Sequence, residues 1–205
     1  MKFIITSILL ATLLSSCALF TKSKDKRTYY AFRSSSATAI ANKPSLEAHV
    51  RSVSIPGYLD RTELVARTTA NEVEVLDRFL WAESLDKEVA RTIAASLRQL
   101  LGTSQIVALD SELAPRSTGL KIDIEITRFE LDQNGNVILE GLYLVNNRDA
   151  DEKNRNQSFR FTAPVAISVA EKEATEARKA IVVAAMNTCL DQLSLDIART
   201  LAKRG

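Results

Sequence analysis

The chain has 205 residues, with 27 lysines and arginines, 25 aspartates and glutamates and a formal net charge of +2. This near balance argues against nucleic acid as a partner, because there is no basic excess to neutralise phosphates. The length fits one domain, and a hydrophobic content of 46% supports a packed core.

The N-terminus has the layout of a secretory signal. Lys2 is followed by an apolar run that is too short to span a bilayer, which needs roughly 20 residues. The run ends in Leu14-Ser15-Ser16-Cys17, which resembles the bacterial lipobox, in which the cysteine takes a diacylglycerol and becomes the new N-terminus. We predict that residues 1–16 are a cleaved signal peptide and that Cys17 is lipidated; the alternative is an ordinary structural cysteine.

Residues 17–27 are predicted to be the lipidated cysteine and a polar tether. Acyl chains such as palmitate contribute about 0.8 kcal/mol per buried methylene, and a diacylated or triacylated Cys17 meets the need for more than one chain. Ala18 rather than aspartate follows the cysteine, which in lipoproteins of Gram-negative bacteria implies export to the outer membrane. Cys189 would then be unpaired, so no internal disulfide is expected.

Short β-prone runs dominate the first part of the predicted domain, residues 28–205. Residues 28–32 are a candidate strand, and residues 33–44 are a loop rich in serine, alanine and threonine. A change of phase in the strand at 46–55 predicts a β-bulge near Arg51-Ser52. The runs 63–69 and 72–76 predict a hairpin around Ala70-Asn71.

The remaining elements alternate between helix and strand. Residues 84–101 predict an amphipathic helix with Ser84 and Gly102 as its caps, and residues 106–109 predict a short strand. The strand at 120–131 turns at Asn134-Gly135 into the strand at 137–145, whereas Pro164 in the strand at 159–169 indicates an edge or a bulge. A helical stripe covers 171–203. This order predicts an α+β fold, with one mostly antiparallel sheet and two amphipathic helices packed on one face.

Candidate catalytic residues are missing from the sequence. His49 is the one histidine, and a lone histidine is more often structural than catalytic. We find no cysteine or histidine cluster with metal-ligand spacing, no glycine run that would cradle a phosphate and no Gly-x-Ser-x-Gly elbow. Cys189 lies in an apolar helical stripe and is predicted to be buried. We therefore predict a protein that is not an enzyme and has no metal or cofactor.

Two stretches combine the aromatic and charged residues that are typical of interfaces, 55–61 and 79–83. Two interpretations are open. In the first, Tyr58, Leu59 and Trp81 cover the end of the sheet, while Asp60 and Arg61 form a local ion pair. In the second, a partner-binding surface or the scaffold behind it is formed by Tyr58, Leu59, Asp60, Arg61 and Trp81.

The run from Val53 to Val65, Val-Ser-Ile-Pro-Gly-Tyr-Leu-Asp-Arg-Thr-Glu-Leu-Val, resembles a segment of the ABC-type transport auxiliary lipoproteins, the PqiC family. That segment has the pattern V-x-I/L-P-x-Y-L-D-R-x-x-I/L-V. Asn71-Glu72-Val73-Glu74 and Leu80-Trp81-Ala82-Glu83-Ser84-Leu85 resemble the family's next landmarks, a strand beginning at asparagine and an Arg-Trp-Ala-Glu-Pro-Leu box. Leu80 and Ser84 depart from that box, so no role of the family's arginine is carried over.

The resemblance implies a binding role rather than catalysis. Members of the family are outer-membrane lipoproteins that work with MCE-domain proteins in systems that move phospholipid or other hydrophobic molecules and support envelope integrity. By this resemblance, lipidated Cys17 fixes the domain to the outer membrane, facing the periplasm, and the domain docks an MCE tunnel as a homo-oligomeric ring. The alternative is a lipoprotein chaperone or plug for assembly of an outer-membrane component. A third possibility, direct lipid carriage, requires an apolar cavity.

Overall fold

The described part of the chain forms one sheet and two helices. The computed structural model describes residues 28–108, 119–146, 155–165 and 176–204, so the predicted signal peptide, Cys17 and the tether lie outside the described residues. Within these ranges the elements are β1 Thr28–Tyr30, β2 Ala48–Ser54, β3 Glu63–Arg67, β4 Val73–Trp81, α1 Leu85–Leu101, β5 Ile106–Ala108, β6 Leu120–Leu131, β7 Asn136–Asn146, β8 Gln157–Pro164 and α2 Glu176–Arg204.

Strand β6 organises the sheet, because several strands pair with its two edges. One edge pairs antiparallel with β7 along nearly its whole length, and β8 adds antiparallel to β7. The other edge is divided: β2 pairs in parallel with its first half, and β3 reaches its far end through Ala66 opposite Leu131. On this divided edge β2 also pairs with β5, whereas β3 pairs with β4, which pairs with β1. The sheet therefore forks into two branches at β6.

The α+β prediction is confirmed. The sheet is mixed, its longest ladders are antiparallel, and both helices pack against it. The predicted β-bulge is present, since the register of β2 against β6 shifts between Val50 and Ser52. Both predicted hairpins form as well, β3 with β4 and β6 with β7. Strand β4 is longer than predicted and ends only at Trp81.

Each helix covers a different part of the sheet. Helix α1 packs on β2 and β5, α2 packs on β7 and β8, and the two helices contact each other. Ser84 occupies the predicted N-cap position without a capping side-chain hydrogen bond, whereas Gly102 ends α1 in the left-handed conformation, with φ of 60°. Residues 179–204 of α2 are long and apolar enough to span a membrane, but more than half of an apolar 18-residue stretch within them is buried in the domain. Burial of this kind is typical of a core helix.

Cys189 faces the core from α2. Its side chain is fully buried and its thiol is free, which confirms the predicted burial. Burial raises the pKa of the thiol to about 12. A thiol with a raised pKa stays protonated at neutral pH, and it is unreactive because the thiolate is the nucleophile.

A segment without regular structure, residues 32–43, crosses the helices between β1 and β2; we call it the strap. Its backbone N–H groups donate to side chains on both helices: Phe32 to Glu88 at 2.8 Å, Arg33 to Asn187 at 3.0 Å and Ser35 to Ser96 at 2.8 Å. Further along, the N–H of Ile40 donates to the carbonyl of Leu100 at 2.8 Å. The predicted loop is therefore held closely against the helices, because buried N–H groups require acceptors.

Candidate functional site

The family-like motif forms the connection between β2 and β3, residues 55–62, which we call the motif loop. Two backbone hydrogen bonds of 2.9 Å shape it, from Leu59 N–H to the Pro56 carbonyl and from Arg61 N–H to the Leu59 carbonyl. Tyr58 is partly buried and Leu59 is only 3% exposed, while Asp60 and Arg61 face solvent. Tyr58 and Leu59 of the motif therefore lie against the protein, whereas Asp60 and Arg61 lie in solvent.

Tyr58 reaches a buried carboxylate that the sequence did not single out. Its hydroxyl donates to Glu130 at 2.7 Å, and the side chain of Glu130 is fully buried. Arg67 donates to the same carboxylate through Nε, and Arg128 donates to it through Nε and Nη2 at 3.1 Å each. We call these four residues the Glu130 network. A buried charge is tolerated when it is paired and hydrogen-bonded in this way.

A bulge in β6 explains how Glu130 reaches this position. The alternation from Leu120 to Ile126 would leave residue 130 on the apolar face, but the register against β7 shifts between Ile126 and Arg128. Phe129 then takes the core side, where its ring lies 5.7 Å from the ring of Phe32. The break in alternation at Phe129 is the one sequence signal that could have indicated the bulge.

The electrostatics of the Glu130 network favour a neutral tyrosine between charged groups. Burial, together with the hydrogen bond to Glu130, raises the pKa of Tyr58 to about 12. The hydrogen bond to Glu130 raises the pKa of Arg67 as well, and the guanidinium of Arg67 lies 6.0 Å from the centroid of the Tyr58 ring. Two arginines and one carboxylate leave one positive charge on the network.

Trp81 lies behind the motif loop rather than on its surface. It is 3% exposed, and its ring lies 4.9 Å from that of Phe32 and 6.1 Å from that of Phe79. The backbone N–H of Trp81 donates to the carbonyl of Thr62 at 2.7 Å, which ties the end of the motif loop to β4. Trp81 therefore supports the loop from within an aromatic cluster.

The structure separates the five predicted site residues into two groups. Leu59 and Trp81 are buried and Tyr58 is largely engaged with Glu130, as the first interpretation expected for these three. Asp60 and Arg61 are exposed, and within the described residues no ion pair joins them. The assignment of these residues to partner binding stays a prediction.

A cavity of about 510 Å³ opens beside the Glu130 network; we call it the arginine cavity. It lies between the tip of the β3–β4 hairpin and the β6–β7 turn, and three arginines from three strands line it: Arg67, Arg128 and Arg160. Among the residues that the structure describes, no group of three histidine, cysteine, aspartate or glutamate side chains could hold a metal ion. The other lining residues come from the two turns and include Asp132, so the cavity combines three guanidinium groups with one carboxylate.

Two crystal structures share the fold of this chain, each with a TM-score of 0.61. One is an uncharacterized protein, 19% identical, and the match covers 84% of this chain and 99% of that one. The other is protein XCC0632 of Xanthomonas campestris, of family DUF330, 18% identical, with 85% and 95% covered. A PelC dodecamer from Paraburkholderia phytofirmans is a weaker match, with a TM-score of 0.34, 12% identity and coverage of 77% and 95%.

No curated protein matches the chain. A family model does match it, over residues 30–198, which includes the last residue of β1, the motif loop and both helices up to the last turns of α2. The family is one of transport components rather than enzymes, and its members are lipoproteins held at a membrane. The chain therefore belongs to the ABC-type transport auxiliary lipoprotein component family.

Proposed function

We propose that this protein is an accessory lipoprotein of an MCE-type intermembrane lipid transport system that supports envelope integrity. In this proposal acylated Cys17 anchors it in the outer membrane, and the domain faces the periplasm and docks an MCE-domain partner as a ring of copies. The family match over residues 30–198 supports the auxiliary role, and the lipobox at 14–17 supports the anchor.

The observation that carries the docking proposal is two exposed, oppositely charged residues on a loop whose preceding residues are anchored in the domain. Asp60 and Arg61 face solvent, while the residues before them are fixed by burial of Leu59 and by the bond from Tyr58 to Glu130. Residues held in one conformation before binding lose less entropy on association. We therefore assign contact with the partner to Asp60 and Arg61, and the scaffold role to Tyr58, Leu59 and Trp81.

The packing of the domain supports docking over direct lipid carriage. The space between the sheet and the helices is filled by one continuous hydrophobic core, in which Leu97, Ile122 and Leu193 are fully buried. An acyl chain requires an apolar cavity that stays open. Movement of lipid is accordingly assigned to the partner's tunnel, with this domain at its periplasmic end.

The test is a crosslinking pull-down from membranes with the full-length lipoprotein, followed by identification of partners by mass spectrometry. Recovery of an MCE-domain protein supports the proposal. Recovery of a β-barrel protein in its place favours the chaperone or plug. The double variant Asp60→Lys, Arg61→Glu should lose the MCE partner, whereas Arg199→Glu, an exposed residue on α2, should retain it.

A second comparison tests the scaffold assignment. If Tyr58→Ala and Trp81→Ala variants fold normally and still recover the MCE partner in full, these residues support neither the surface nor the loop. Circular dichroism of each purified variant establishes whether it has folded, so that loss of binding is not confused with unfolding.

A further inference from the structure

The sheet register aligns two of the arginines that line the arginine cavity, with one carboxylate between them. Arg128 on β6 lies directly opposite Glu140 on β7, and Glu140 lies directly opposite Arg160 on β8. Neighbouring strands are about 4.8 Å apart, so this row holds the two arginines roughly 10 Å apart at their backbones. Arg160 donates to Glu140 at 3.0 Å, which fixes one end of the row.

Arg67 completes the cavity from β3. Its Nε binds Glu130 and its Nη1 donates to the carbonyl of Ala70 at 3.1 Å, so the side chain is held on two sides. Arg128 binds the same oxygen of Glu130. Two guanidinium groups are therefore placed side by side by a carboxylate that is itself fully buried. Three arginines are thus preorganised around one space.

The carboxylates near the cavity already have partners. Glu130 accepts from Arg67 and Arg128, and Glu140 accepts from Arg160. Asp132, in the β6–β7 turn, also lines the cavity, and its carboxylate accepts the backbone N–H groups of residues 134 and 136 at 2.9 and 2.8 Å. Each guanidinium has five N–H donors and no acceptor, more than these bonds use. The backbone N–H groups of residues 134 and 136 both bind Oδ1 of Asp132, and the guanidinium groups keep N–H donors that the bonds described above do not use.

We propose that the arginine cavity binds a phosphate group, either as free phosphate or as the headgroup of a lipid. The planar fork of arginine matches the oxygens of a phosphate, and charge-assisted hydrogen bonds of this type are the strong ones. A phosphate ligand presents three or four oxygens to these donors, whereas a carboxylate ligand presents only two. A cavity of about 510 Å³ lies in the range of small-ligand sites.

The site is separate from the surface assigned to the partner. Asp60 and Arg61 do not line the arginine cavity. Phosphate binding can therefore fail while docking persists, and docking can fail while phosphate still binds.

The test is titration calorimetry of the full-length lipoprotein in dodecyl maltoside at constant ionic strength. The probes are sodium phosphate, dihexanoyl phosphatidylglycerol and, as an uncharged reference, octyl glucoside. Arg160→Gln is the test variant because Arg160 lies on the exposed end of the row. Arg51→Gln is the matched control, since Arg51 also pairs with a carboxylate on the sheet, Asp123, but does not line the cavity.

We expect phosphate to bind and Arg160→Gln to weaken it at least about tenfold, the loss of one charge-assisted hydrogen bond. Binding of both phosphate and the lipid supports a headgroup site, and binding of phosphate alone supports a site for the free anion. No binding of either probe overturns the proposal, as does an equal loss in Arg51→Gln. Arginine Nε–Hε resonances give a second readout, because phosphate should shift those of Arg67, Arg128 and Arg160 but not that of Arg51.

Discussion

The motif loop and the strap are both irregular segments, but their polar contacts with the rest of the domain come partly from a side chain in the first and mainly from the backbone in the second. The motif loop is held by its own side chains, since Tyr58 binds Glu130 and Leu59 enters the core. The strap is held through its backbone, whose N–H groups donate to side chains such as Glu88 and Ser96 on the helix beneath. The polar contacts of the strap therefore depend on acceptors in α1 and α2, while the ring of Phe32 packs against Trp81 and Phe129.

The two regions also differ in the charge of the acceptor. Ser96 is a buried hydroxyl that satisfies one backbone N–H, whereas Glu130 is a buried carboxylate that requires several donors. Loss of a partner costs more for a buried charge than for a neutral group. Loss of a hydrogen-bond partner should consequently destabilise the domain more in the Glu130 network than in the strap.

The largest effect is expected for Glu130→Ala. Without the carboxylate, Arg67 and Arg128 face each other as uncompensated like charges and the Tyr58 hydroxyl loses its acceptor, so we expect a loss of about 3–5 kcal/mol in the free energy of unfolding. Urea unfolding of the variant measures it. Glu125→Ala, an exposed residue on the same strand, is the control and should change stability by less than about 0.5 kcal/mol. A loss below about 1 kcal/mol for Glu130→Ala would contradict the role of the network.

A smaller loss is expected for Ser96→Ala. The backbone N–H of Ser35 is then left buried without an acceptor, which costs about 1–3 kcal/mol. Amide hydrogen exchange at Ser35 should become faster, because the strap opens locally at lower cost. Ser36→Ala, an exposed substitution within the strap, should leave both quantities unchanged. Equal exchange at Ser35 in the wild type and in Ser96→Ala would refute this account of the strap.

Alkaline pH should weaken the network without any substitution. Burial raises the pKa of Tyr58 to about 12, and burial likewise raises that of Tyr143 to about 12, each from an ordinary value of 10.0. Because these pKa values are higher in the folded state, their stabilising contribution is present below pH 10 and is lost as the pH rises toward 12.

Tyrosinate absorbance measures this titration directly. Tyr58 and Tyr143 should ionise late in the wild type, and Tyr58→Phe should reduce the amplitude of this late phase. If Tyr58→Phe leaves the late phase at its full amplitude, Tyr58 is not the buried hydroxyl that the hydrogen bond to Glu130 implies.

The smallest effect on stability is expected for Asp60→Ala and Arg61→Ala. Both side chains are exposed on the motif loop, so each substitution should change the free energy of unfolding by less than about 0.5 kcal/mol. Recovery of the partner in the pull-down should nevertheless fall. Arg199→Ala, also exposed, should affect neither measurement. A variant at 60 or 61 that unfolds the domain would mean that the substituted residue belongs to the scaffold.

Much of the local structure could be predicted, because it depends on residues that are close in sequence. The alternation of Leu120, Ile122 and Ile124 predicts β6, and Asn134-Gly135 predicts the turn into β7. The change of phase at Arg51-Ser52 predicts the bulge in β2. Gly102 predicts the end of α1 because a left-handed C-cap favours glycine.

The candidate site could be predicted only in part. The motif indicated Tyr58, but its partner Glu130 is 72 residues away and lies beyond an unpredicted bulge in β6. The arginine cavity was missed altogether, since its three arginines come from β3, β6 and β8 and are joined only by the pairing of strands. Nothing in the spacing of these residues indicates that they meet.

By itself the sequence determined the class of fold, the position of most elements and the family-like motif, because hydrophobic periodicity, turn residues and caps act over a few residues. The tertiary structure alone decided that the sheet forks at β6, that the strap is bound to α1 and α2, and that Glu130 gathers Tyr58, Arg67 and Arg128. These features depend on the need of buried polar groups for partners, and the partners are supplied by whichever distant segments the packing of the core brings near.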